Sequence, residues 1–196
     1  MNLGRALVRA RFGILTMGFA YLSFLIAGIA MVNAGHGFAL ARRDRIVAGA
    51  QSSIILTELH SGHTLRAACL DFAANLCLGG FTSTLAGRWA PAPYPIAAYR
   101  GWVGGIVSVD GAHANRLSSR KEATYYLLVV LLQLIPYSLA GGAGVNIGLA
   151  CARPAPWYAG ARWLGVPVEA IRDAGRIYLL VVPLFLVASL VEFLAR

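Results

Sequence analysis

Residues 12–32 form an apolar run without a single charge, directly behind Arg5, Arg9 and Arg11. An α-helix rises about 1.5 Å per residue, so roughly 20 residues cross the ~30 Å hydrocarbon core, and this run is long enough to do so alone. A second run, 177–195, is interrupted only by Pro183 and Glu192. Two such segments point to a chain that folds in a bilayer. The first run is about twice the length of a usual signal-peptide core, so it is expected to stay as a span.

Composition supports this. With 58% hydrophobic and 13% charged residues, a soluble chain of this size would expose more apolar surface than it could bury. One transmembrane domain over 1–196 is expected, with no room for a large soluble module. The formal charge of +9 rests on arginine, since Lys121 is the only lysine. These arginines lie mainly between apolar segments, where anionic headgroups and insertion bias favour them, so nucleic acid is not an expected partner. Their excess before residue 12 predicts a cytoplasmic N-terminus, in a bacterial cytoplasmic membrane. Cys69, Cys77 and Cys151 have no metal or disulfide spacing and read as small buried hydrophobes.

The fold expected is all-α, with four to six membrane-embedded segments. After the first span, residues 46–59 fit one amphipathic helix at the interface. Residues 66–87 form the next span. It carries Asp71 and Asn75, four apart and so on one face, which should meet protein rather than lipid. Gly79, Ser83 and Gly87 form a small-residue stripe that lets a neighbouring backbone approach. Pro91, Pro93 and Pro95 delay the following helix to about residue 96, and the short 96–109 segment reads as re-entrant. Residues 124–152 are uncharged but hold Pro136 and a Gly/Ala run, which predicts a break at 136–142. Arginine counting favours a hairpin there. Gly144 and Gly148 continue a second small stripe, with Asn146 beside them. Before the 177–195 span, residues 168–176 read as a short amphipathic helix at the interface.

Three segments resemble the family of stage II sporulation protein M, a group of multi-pass membrane proteins. They are 72–87 with its Asn and terminal Gly, 127–148 with its leucine run meeting Pro136, and 174–193 with a proline-bearing span that ends in Val-Glu-Phe. Where that family has a His-Gly after the proline and a Glu further on, this chain has Tyr137, Ser138 and Gly141. The resemblance implies a non-enzymatic membrane component that assembles with other membrane proteins. Glu169 to Gly175, spelled EAIRDAG, also looks like the segment by which importer permeases contact a soluble ATPase.

Candidate chemistry is sparse. Glu58, His60 and His63 are the only ligand-type cluster, with Gly62 weakening the helix that would align them, and a solvated interfacial loop is the expected role. No phosphate loop, nucleophile elbow or paired carboxylates appear, so no enzyme activity and no cofactor are expected. Asp71 and Asn75 are the intramembrane polar pair, expected mainly to pack and hydrogen-bond between helices, with a functional role as the alternative. Glu192 reads as interfacial, with Arg88, Arg153 or Arg196 as its partner. The expected function is a non-enzymatic integral membrane subunit that packs into a larger assembly through its Gly/Ala stripes. Its expected partners are lipids and other integral membrane proteins or further copies of itself. The alternative is a permease-type transporter subunit, contacting a soluble ATPase through Glu169 and Arg172.

Overall fold

The computed structural model describes residues 2–194 and is almost wholly helical. Three helices are long and apolar enough to cross a membrane: α1 (Leu3–Asn33), α7 (Arg120–Ala152) and α8 (Val168–Leu194). Between them lie α2 (Gly37–Gln51), α3 (Ile54–His60), α4 (Thr64–Ala74), α5 (Thr82–Ala86) and α6 (Pro93–Ile106). A π-helical turn, Asn75–Phe81, joins α4 to α5 without a break. The only strands among the described residues are β1 (Arg162–Trp163) and β2 (Val166–Pro167). Leu164 and Gly165 both have positive φ between them, as a tight hairpin turn requires. The expected end of the last span at Ala195 lies outside the described residues.

Small residues set the register of the bundle. α1 and α7 run antiparallel, and a Cβ on Gly13 would lie 2.6 Å from the Gly142 carbonyl oxygen. Further along, the Tyr21 and Tyr137 rings stack 6.3 Å apart. α6 runs parallel to α1, from the Thr16–Tyr94 hydroxyl pair at 2.7 Å to the contact of Gly28 with Gly105. The composite helix 64–86 runs along α7 and α8, with Asp71 meeting Ser189 and Gly87 pressed against Gly144. The core gathers where these helices cross, around Met17, Tyr137, Ile177, Val181 and Phe185.

Several expectations are corrected. No break or hairpin occurs at 136–142, because α7 stays helical through Pro136. Proline removes one backbone donor, but the buried stretch from Pro136 to Gly144 is clamped by α1 and the composite helix. The arginines beyond residue 152 reach the N-terminal face without a hairpin, as the 3.0 Å bond from Arg9 to Asp173 demonstrates. α6 begins at Pro93, not residue 96, since first-turn prolines lack only donors that have no partner in any case. It does not turn back: it exits beside α2, with Ile106 and Val109 against Val32 and Ala39. At fourteen residues it is about 21 Å long, short of the ~30 Å core. The single helix expected at 46–59 is two, and Ser53 caps the second by accepting from the Leu56 amide at 3.4 Å. Residues 168–176 are the first turns of α8 rather than a separate helix. Cys69 and Cys77 face outward instead of being buried.

Candidate functional site

The Asp71–Asn75 pair faces protein, as its four-residue spacing requires. Asn75 Nδ2 donates to Asp71 Oδ2 at 2.9 Å, and Ser189 Oγ of α8 donates to the same oxygen at 2.7 Å. From α7, Tyr137 donates its hydroxyl to Asn75 Oδ1 at 2.7 Å. Four side chains from three segments thus satisfy one another within the bundle, as buried polar groups must. The Tyr137 ring fits because Gly79 has no Cβ; one there would lie 2.5 Å from the Tyr137 hydroxyl. Asn75 also opens the π-helical turn, a departure from α-helical geometry that occurs frequently at functional sites.

Asp71, Asn75 and Tyr137 line a cavity of about 630 Å³, within the range of small-molecule sites. Tyr21 of α1, Arg100 of α6, Gln133 of α7 and Glu192 of α8 complete its inner wall. Arg100 lies over the Tyr137 ring, 5.3 Å from its centroid, and enters no ion pair among the described residues. Gln133 Nε2 donates to Glu192 Oε2 at 3.4 Å, and Tyr125 donates its hydroxyl to the Glu192 carbonyl at 2.7 Å. Asp110, Arg116 and Glu122 carry the cavity to the face where α7 begins.

A clasp holds the loop at that end. His113 Nε2 lies 3.0 Å from Asp44 Oδ1 of α2, and the nearly buried Arg43 donates to the Val109 carbonyl at 3.4 Å. The hydrogen bond from His113, reinforced by Arg43, holds the Asp44 carboxyl below the usual carboxylate range. Asp110 is held low by the Ala114 amide, with the Ala112 amide adding to it. It accepts from these at 2.8 and 2.9 Å.

A second network ties the opposite face together. Asp173 is fully buried and accepts from Arg9 at 3.0 Å, Tyr158 at 3.1 Å and Arg176 at 2.6 Å. Asn146 Nδ2 donates to the Tyr158 hydroxyl at 2.8 Å, which gives the buried Asn146 a side-chain partner. Glu169 binds Arg176 at 2.9 Å and Arg172 at 3.5 Å. Both residues expected to contact a soluble partner are therefore tied to α8 itself, with the Arg172 side chain 65% exposed.

The small stripes are spent within the chain. A Cβ on Gly144 would lie 2.7 Å from the Ser83 carbonyl oxygen, and Gly148 presses on Gly87. Glu58 is bound by His63 at 2.9 Å and Arg66 at 3.2 Å. Among the described residues no three metal-ligating side chains gather. Glu192 lines the cavity, and Arg88, considered as its partner, donates instead to the Leu164 carbonyl on the other face. Arg196, another partner considered for Glu192, lies outside the described residues. Sequence reasoning did not single out Arg100, Tyr137 and Gln133 as site residues. A lone arginine in an apolar segment and a glutamine in a leucine run were the available signals. Comparison with protein-family models, with curated proteins and with solved structures gives no match for this chain.

Proposed function

We propose that this chain is a non-enzymatic integral membrane protein that binds a small polar solute inside its helical bundle, as a permease-type subunit does. The observation that carries the reading is the cavity with Arg100, Asp71 and Glu192 on its walls, because intramembrane charge is expensive and is kept where it serves a pathway or a ligand. Five membrane-embedded segments fit this reading: α1, the composite helix 64–86, α6, α7 and α8. The composite helix is long enough to cross at about 1.5 Å per residue. α6 is sheltered between α1 and α7.

The accessory role in a larger assembly is the second reading, favoured by large apolar side chains along the outside of α1, among them Phe12, Leu15 and Phe19. Lipid covers such a face equally well. The Gly stripes give that role no support, being occupied inside the chain. Membership of the stage II sporulation protein M family remains a proposal that rests on the three resembling segments. A soluble ATPase as partner would have Arg172 as its main charged contact.

A cysteine scan tests the solute-binding reading. With Cys69, Cys77 and Cys151 replaced by Ser, Val103→Cys and Val129→Cys place a thiol on the cavity wall. Leu15→Cys and Leu131→Cys place one on the outer face. A water-soluble methanethiosulfonate reagent is expected to modify the first pair and not the second. Silence at both cavity positions would leave only the accessory role.

A further inference from the structure

The charges on the cavity wall narrow its ligand, and the argument rests on the solute-binding reading above. Arg100 presents a guanidinium that has the Tyr137 ring beside it and no ion-pair partner among the described residues. Such a fork is suited to a carboxylate or phosphate group. Asp71 receives both of its hydrogen bonds on Oδ2, so Oδ1 is left to accept from something else. Glu192 adds a second carboxyl group to the inner wall. A simple anion would answer Arg100 but bring negative charge towards Asp71 and Glu192. A simple cation would answer Asp71 and meet Arg100. Only a molecule with both signs meets Arg100 and Asp71 together, and a like charge brought against either is costly.

We infer that the cavity takes a small zwitterionic solute of the free amino-acid type, its anionic group on Arg100 and its ammonium on Asp71. The faces of Tyr21 and Tyr137 and the side chains of Val103 and Val129 leave an amphipathic space for the rest of the molecule. A zwitterionic lipid headgroup has the same chemistry. The charged mouth at Asp110, Arg116 and Glu122 favours entry from water.

The test uses the full-length protein in detergent, without its native cysteines and carrying Val129→Cys, and follows the rate of thiol modification. Phenylalanine and alanine are the zwitterionic probes. 3-Phenylpropanoate and 2-phenylethylamine each keep one of phenylalanine's charges. A zwitterion is expected to slow modification while neither single-charge analogue does so at the same concentration. Arg100→Gln and Asp71→Asn should each weaken this protection roughly tenfold to a hundredfold, the loss of one charge-assisted contact. Arg100→Lys should weaken it less, since the charge remains.

Equal protection by either analogue would overturn the two-charge ligand while leaving solute binding intact. A reactive cysteine that no probe protects would overturn the zwitterion. Protection that requires added phosphatidylethanolamine would overturn the free solute in favour of a lipid headgroup. A cysteine that never reacts would instead defeat the solute-binding reading itself.

Discussion

Tyr137 donates its hydroxyl to Asn75, sets its ring edge-on to Phe185 with centroids 4.9 Å apart, and turns a face to Arg100. Tyr137→Phe keeps the ring and leaves Asn75 Oδ1 without its donor. A loss of about 1–3 kcal/mol is expected, read as a lower melting temperature in detergent; an unchanged value would mean that water replaces the hydroxyl. Asp173 offers a sharper contrast with Glu169. Asp173 is fully buried against two arginines and a tyrosine, so Asp173→Ala should cost roughly 3–5 kcal/mol by stranding buried charge. Glu169 is 22% exposed in its side chain, and Glu169→Ala should cost about 1 kcal/mol or less. Equal losses would mean that the cluster acts as one unit. The Asp71–Asn75 face was legible because helical spacing alone fixes it. Tyr137 was legible only as a neighbour of a helix-breaking proline, since its partners arrive from other helices, Asn75 from 62 residues away.

The small-residue stripes join α5 to α7. Bulk at Gly144 or Gly148 therefore has to push the Ser83 carbonyl or Gly87 aside. Gly144→Leu and Gly148→Leu should destabilise the isolated chain by more than Leu131→Ala, whose side chain is 51% exposed, at a cost of about 1–3 kcal/mol or more from overpacking. If the glycine variants melt like the parent and lose only their oligomers, the stripe lies between chains instead. The stripes were legible as packing surfaces; their partners were not, because a four-residue repeat says that a helix comes close but not which one. The break expected at Pro136 failed for a related reason: local propensity is overridden where tertiary packing encloses the helix. At the cavity mouth the Asp44–His113 clasp carries a pH dependence. Asp44 titrates below its ordinary range, so its contribution is complete above that range and is lost as pH falls through the lowered value. The amide protection factors of residues 107–119, which discount the slower intrinsic exchange in acid, should fall on acidification. Asp44→Asn should show lower protection already at neutral pH and a smaller further fall, the part that Asp110 contributes through the Ala114 and Ala112 amides; identical profiles would detach the clasp from loop order.

Across the whole molecule, the bundle's two ends differ. The N-terminal end is tied together by the Arg9–Asp173–Arg176 network and by glycine contacts between α1, α5 and α7. The other end, where α2, the 107–119 loop and the start of α7 meet, carries the cavity mouth. Membrane embedding was legible from two apolar runs, while the one-sided opening depends on how α6 and the composite helix fill the gaps. The most direct test is sidedness. In intact cells, an impermeant thiol reagent is applied to cysteine-free protein carrying Val103→Cys, with Gly4→Cys and His113→Cys marking the two faces. Val103→Cys is expected to react from the face that exposes His113→Cys and to stay silent from the face of Gly4→Cys. Reaction from the Gly4→Cys face would contradict it.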